Sequence, residues 1–378
     1  MQVFQGHSEL PAGRAAVAEA TRDWPSASPP SFILAYASTR QALADVHAAL
    51  RERYPLAQLA GCTTSGEHST HQHHRRSLVL TAVCGDDLRV TTALAPDLAK
   101  FDQARADGVA DGLFRALGVS RDDVDLEHTF CFMLIDGLSL QEEHVSAVMA
   151  EALDGVPLVG GSAGDDLAFQ RTEVMGTDGV ATAAAVFVLG HSRAPMRIFK
   201  HQHFVPTERS LVITKADVAA RKVYEMDGYP AAEAYARALG LARTEDLTPG
   251  VTFMNPVMLQ SHGQHYVRSV QKIDADGSIT FYCGIEEGMV LDVAHHDDIV
   301  GALGASLGEA LAGIGRPKLV LGINCILRAL EAEQLAHHEA IAALMSQSAD
   351  CYAAFDTYGE QLGGLHINQT IVGIAFGQ

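Results

Sequence analysis

The sequence predicts an α+β (mixed α/β) protein of two domains, with mixed sheets covered by helices and built on a repeated strand-helix-strand-turn-strand unit. Three observations predict it. An apolar run, a helical stretch and a second apolar run recur three times in the same order, opening at residues 32–37, 130–135 and 319–323. Each second run ends in [Ser/Thr]-x-Gly-[Asp/Glu]: Thr64-Ser65-Gly66-Glu67, Ser162-Ala163-Gly164-Asp165 and Thr357-Tyr358-Gly359-Glu360. Each copy then closes on an apolar strand and a glycine, at Val83-Cys84-Gly85, Val188-Leu189-Gly190 and Ala375-Phe376-Gly377.

Short apolar runs bounded by turn residues read as buried strands. The glycine after the strand permits backbone conformations that a Cβ resists, and the flanking hydroxyl and carboxylate can bond a ligand or the turn itself. Two readings follow: the three turns line one cleft, or they are only well-made turns. The pattern changes after residues 195–200, where Pro206 interrupts the stretch His201-Gln202-His203-Phe204-Val205-Pro206-Thr207. The domains are therefore expected to be 1–205 and 206–378, with the third copy completing the second, and a hinge at 203–214. Within the second domain, residues 211–214 read as a strand and Asp227-Gly228 as a hairpin turn. Pro230 fits the first turn of an alanine-rich helix reaching Leu239. Strands follow at 264–271 and 278–283, and apolar residues spaced by three and four predict a helix over 299–312.

Composition limits the function. With 48% hydrophobic and 19% charged residues, the 378-residue chain reads as globular. Its 46 acidic and 27 basic residues give a formal charge of -19, which repels nucleic-acid phosphate and anionic membrane surfaces alike. Neither partner is expected. Met1-Gln2-Val3-Phe4-Gln5-Gly6 lacks the basic-then-apolar order of a secretory signal, so the expected location is the cytoplasm. Cys62, Cys84, Cys131, Cys283, Cys325 and Cys351 sit in apolar runs without a Cys-x-x-Cys pair and read as buried thiols.

Gly61-Cys62-Thr63-Thr64-Ser65-Gly66-Glu67, Val159-Gly160-Gly161-Ser162-Ala163-Gly164-Asp165-Asp166 and Asp227-Gly228-Tyr229-Pro230-Ala231-Ala232 resemble the FIST family, whose members pair an N-terminal and a C-terminal FIST domain. More narrowly, Leu134-Ile135-Asp136-Gly137-Leu138-Ser139, His203-Phe204-Val205-Pro206-Thr207, Asn324-Cys325-Ile326-Leu327-Arg328 and Thr357-Tyr358-Gly359-Glu360-Gln361 with His366-Ile367-Asn368-Gln369-Thr370 are similar to its nitric-oxide-sensing branch, NosP. That resemblance implies a cytoplasmic haem b protein that reports nitric oxide to a histidine kinase or a cyclic-di-GMP enzyme. It further implies bacterial two-component signalling tied to biofilm formation, and a homo-oligomer is compatible with it.

Among the eighteen histidines, His366 is the first candidate for haem iron, because it follows the third turn in a strand-like stretch. His203, on the expected linker, is the second; His262 and His265 flank a glycine and rank below. For each the competing reading is a hydrogen-bonded structural histidine. Arg328 and Arg40 follow the first strand of a copy, where a guanidinium can meet a propionate or instead pair with Glu360 or Glu67. Asp136 holds the comparable place in copy two, and Tyr358 could contact a ligand or cover the core. His68, His71, His73 and His74 lie among polar residues and read as a loop without a designed metal site; His295-His296 and His337-His338 read as partly solvated surface.

No catalytic residue is assigned. Cys62 and Cys325 lack a signature that ties either to a base, and nucleophile-elbow, Walker and His-Glu-x-x-His patterns are missing. The alternative to haem is a haem-free sensor for an amino acid or another small polar ligand, which the three acidic turns suit better than a porphyrin does.

Overall fold

The computed structural model describes residues 1–261 and 263–378. The fold is mixed α/β, in two compact units: one comprises Met1–Lys200, Gly304–His366 and Ile371–Gln378, the other His201–Leu303 and Ile367–Thr370.

The first unit is the repeat. Each copy contributes a first strand and a parallel second strand joined by a helical crossover: Pro30–Ala37 with Gln58–Thr63, Thr129–Ile135 with Leu158–Ser162, and Leu319–Cys325 with Tyr352–Thr357. An antiparallel closing strand flanks the first strand, at Leu78–Cys84, Ala185–Ser192 and Ile371–Phe376. Beyond it lies an edge strand, Gln2–Ser8, Leu88–Ala95 or Met196–His201. The central strands are mostly apolar and, Asn324 apart, buried throughout, as strands covered on both faces must be. Helices Gly13–Ala20 and Leu43–Arg53 bury Val17, Val46 and Leu50 against Ile33, Leu59 and Leu80 in copy one. In copy two, Gln103–Leu117 is capped by Asp102 and ends at left-handed Gly118, and its Leu113 and Phe114 join Met133 and Phe187.

Each sheet is completed by a hairpin from another copy. The hairpin Glu67–Ser69/Gln72–His74 of copy one extends the sheet of copy three, pairing His68 with Ala354. The copy-three hairpin Glu360–Leu362/Leu365–Ile367 extends copy two, pairing Glu360 with Gly161. The copy-two hairpin Val174–Gly176/Gly179–Ala181 extends copy one, pairing Val174 with Cys62. The exchange is cyclic and yields three six-stranded sheets of one plan. It also places the third copy with the first two, where the sequence expected it to complete the second domain. The cause is long-range strand pairing, which leaves no local signature.

The second unit lies in sequence between the edge strand and the helix Ile299–Ala310 of copy three. Among the described residues it holds an eight-stranded sheet and a core containing Ile213, Val223, Tyr235, Phe281 and Leu291. Asp227 and Gly228, both at positive φ, make the expected two-residue hairpin turn between Met226 and Tyr229. Pro230 caps helix Ala231–Ala238 instead of entering its first turn. The expected interruption at Pro206 is corrected: Phe204–Asp217 is one strand, whose pairing with Val290–His296 changes register between Pro206 and Ser210. A register shift accommodates a residue with no N–H to donate. The hinge expected at 203–214 therefore lies mostly inside a strand. Among the described residues, no helix is long and apolar enough to cross a membrane, which says nothing of a β-barrel.

The close approach of the copies sets two opposite outcomes for glycine. A Cβ on Gly164 would lie 2.4 Å from Ser65 Oγ and 3.0 Å from Ser65 N, whereas Gly108, exposed within its helix, has open space. We expect Gly164→Ala to destabilise by about 1–3 kcal/mol and Gly108→Ala to stabilise by about 0.5–1 kcal/mol. Urea unfolding of both variants checks this; a harmless Gly164→Ala would mean that the copies do not meet so closely.

Candidate functional site

The three sequence motifs converge, as hydrogen-bonded partners of one another. Copies one and three exchange Ser65 N–H to the Asp356 carbonyl (3.1 Å) and Asp356 N–H to the Gly66 carbonyl (2.8 Å). Copies two and three exchange Ser162 N–H to Gly359 (2.9 Å) and Tyr358 N–H to Ser162 (3.2 Å). Copies two and one exchange Gly164 N–H to Thr63 (2.9 Å) and Thr63 N–H to Glu173 (2.9 Å). Thr64, Glu67, Ser162, Thr357 and Glu360 are each 0% exposed. The turns build a closed polar junction rather than an open cleft.

Two of the three acids serve their own turns. Glu67 accepts from Thr64 Oγ1 (2.5 Å) and from Ser77 N and Oγ (3.2 and 2.7 Å). Burial nevertheless dominates and pushes its carboxyl up to about 7. Asp165 accepts N–H groups from Phe169 (2.9 Å), Gln170 (2.6 Å) and Arg171 (2.9 Å), fixing a loop in which Asp166, Leu167 and Phe169 have positive φ.

The structure brings three of the four proposed cofactor residues into the first unit. His366 is 3% exposed, and its Nδ1 lies 3.1 Å from Gln361 Nε2. Tyr358 donates to Asp165 Oδ1, accepts from Leu167 N (2.9 Å) and stacks on Phe169. Arg328, 2% exposed, donates through Nε to Asn324 Oδ1 at 3.3 Å, and Asn324 Nδ2 donates to Asp356 Oδ1 at 2.8 Å. Burial lowers the Arg328 guanidinium from its usual range, opposed by the carboxylates of Glu331 and Glu360. His203 belongs to the second unit, buried with its ring 4.4 Å from Phe204. His265, also there, faces Asp292 at 3.3 Å, and His262 lies outside the described residues.

Arg40 is exposed and does not meet Glu67, whose partners are Thr64 and Ser77. Asp136 organises its own turn by accepting from Leu138 N (2.9 Å), Ala183 N (2.5 Å) and the Thr172 hydroxyl. All six cysteines are buried free thiols, and burial pushes Cys62 well above the usual thiol range. Two surface grooves, of about 450 and 320 Å³, share Met1 and Gln2 and are lined by no histidine.

The histidine-rich stretch needs correction. Residues 68–74 form a hairpin, not a polar loop, and of its four histidines only His71 is exposed. His68 and His73 are cross-strand partners, and both aim Nε2 at Asp356, at 2.9 and 2.8 Å. Asp356 is 0% exposed. Burial pushes its carboxyl up, yet the two imidazoles outweigh that and hold it well below the usual range. His338, read as partly solvated surface and half-buried here, stacks on His73 with ring centres 4.4 Å apart and planes at 6°. The signal available in sequence was the His68/His73 spacing across a turn; the missing element was Asp356, far away in the chain.

A thrice-repeated unit with exchanged hairpins, carrying a second compact unit within one copy, defines a two-part repeat protein. The FIST N domain profile matches residues 31–229 and the FIST C domain profile residues 231–362, and the chain belongs to the FIST family. FIST domains are generally sensory modules of signal transduction. A Methanocaldococcus jannaschii protein described only as uncharacterized is 23% identical over 201 residues, covering 53% of this chain and 38% of that protein.

Buried Glu67 generates a pH prediction. Its folded value, raised to about 7 from 4.5, makes its stabilisation complete below about 4.5 and lost as pH rises through about 7. His74 acts in the opposite sense: burial first, then His7, His68 and His73, lower it to about 4, so its contribution is present above 6.5 and lost as pH falls through about 4. Removing the carboxyl with Glu67→Gln should therefore cost about 2–3 kcal/mol less at pH 8 than at pH 5. Urea unfolding at both pH values checks this, and equal costs would show an ordinary carboxylate.

Proposed function

We propose that the protein is a haem-based nitric-oxide sensor in which His366 ligates a non-covalent haem b and a histidine kinase or cyclic-di-GMP enzyme receives the signal. Membership of a sensory family and the NosP-like stretches around Asn324, Tyr358 and His366 support this reading. The observation that carries it is the His366–Gln361 pair on the copy-three hairpin. Gln361 Nε2 lies near three acceptors, Ser162 Oγ (2.9 Å), His366 Nδ1 (3.1 Å) and the Gly359 carbonyl (3.2 Å), but has only two hydrogens. Its Oε1 is buried without a hydrogen-bond partner among the described residues. Turned end for end, the amide would accept from Nδ1–H through Oε1, which would then lie 3.2 Å from the Gly359 carbonyl oxygen. The Gly359 carbonyl would still accept from Ser162 N–H. A neutral imidazole fixed through Nδ1 by an outer partner is the form that ligates iron. The residues therefore fit an axial ligand, and haem would supply an iron whose open position takes nitric oxide.

A second reading has its own support. The contacts of Gln361 beside His366 are polar, and with Thr357 they suit an amino acid or another small polar ligand bound without haem.

Absorption spectra of protein purified with haem available, before and after reduction and nitric oxide, test both. We expect a Soret band that shifts with nitric oxide, is lost or displaced in His366→Ala and persists in His203→Ala. An unaltered band in His366→Ala overturns the ligand assignment. No stoichiometric haem in the unmodified chain overturns the haem reading in favour of the polar ligand.

A further inference from the structure

We infer that His68, His73 and Asp356 form a binding site for a divalent first-row transition metal ion of the zinc class, distinct from the proposed haem ligand. The three residues offer one ligand atom each, all within 4.8 Å of one another. Two imidazoles and a carboxylate form a donor set that zinc and its neighbours favour.

The scaffold presents these donors ready made. His68 and His73 face each other across a hairpin, so the strand pairing fixes both rings on one side. The hairpin is locked in turn: Thr70 donates through N and Oγ1 to Gln5 Oε1 (2.9 and 3.0 Å) and accepts from Tyr352 N (3.2 Å). Each imidazole approaches its own oxygen of Asp356 through Nε2, at 2.9 and 2.8 Å. An ion takes the place of the two Nε2–H protons; the hydrogen-bonded pairs open from 2.9 and 2.8 Å toward the roughly 3.3 Å between ligands of a four-coordinate ion, and atoms as far as 4.8 Å apart draw in.

Around these ligands stands a supporting shell. Asn324 holds Asp356 Oδ1 and is itself held by buried Arg328. Such outer contacts orient metal ligands and raise affinity. Gly66 clears the other edge: a Cβ there would lie 2.3 Å from Asp356 Oδ2 and 2.8 Å from His73 Nε2. His338 stacks on His73 with its ring plane parallel and stands outside the ligand set. A purely structural hydrogen-bonded triad would need the same clearing at Gly66, so metal binding itself separates the two.

Titration of the untagged full-length protein with Co²⁺, followed by its visible absorption and by competition with Zn²⁺, tests the site. We expect one equivalent per chain with the spectrum of a low-coordinate ion, displaced by Zn²⁺. His73→Gln, at the outer edge of the set, should weaken binding at least about a hundredfold with the circular dichroism unchanged. Asp356→Asn should do the same, and His71→Ala, on the exposed turn of the same hairpin, should leave affinity unchanged. Absence of stoichiometric Co²⁺, binding that survives His73→Gln, or binding lost in His71→Ala would overturn the inference.

Discussion

Buried backbone must find hydrogen-bond partners, and in this protein several strand ends of the repeated unit find them in another copy. Ser65, Ser162 and Gly164 each donate across a copy boundary, and Thr63, Asp356 and Tyr358 return the exchange. Leaving one such group unpaired costs about 1–3 kcal/mol. The closed cycle of hairpins follows from this, because each hairpin supplies the last strands of a neighbouring sheet. The repeat is thereby one cooperative body rather than a row of independent modules.

Closing the junction removes water from several ionisable groups, and each is stabilised differently. Asp356 keeps its charge because two imidazoles and the Asn324 amide surround it. Glu67 has hydroxyl and amide donors but no cation, so burial raises it to about 7. The difference decides chemistry: an ionised carboxylate with two aligned imidazoles can take up a cation, and a carboxyl that protonates near neutrality responds to pH.

One unit has also diverged in its copies. The strand register puts Ser162 of copy two in the place that Asp356 holds in copy three. The hairpin entering the copy-three sheet brings His68 and His73 to that carboxylate. The hairpin entering the copy-two sheet brings Gln361 and His366 to Ser162, where the Gln361 amide reaches both the hydroxyl and the imidazole. Equivalent places in one architecture thus carry different ligand chemistry.

The sequence by itself determined the repeat, the fold class and the family, because apolar runs, turn glycines and the Asp227-Gly228 turn are local signals with a fixed spacing. It left open whether the three polar turns meet or are only well-made turns. Which groups face which was decided only by tertiary structure. Pro206 reads as a break but lies in a strand, since a register shift supplied by its partner strand absorbs the missing N–H. His68 and His73 read as a solvated loop until a strand almost three hundred residues later places Asp356 between them. Hydrogen-bond pairing between distant strands carries no periodicity of its own, so the exchange of hairpins, and every site built on it, exists only in the folded chain.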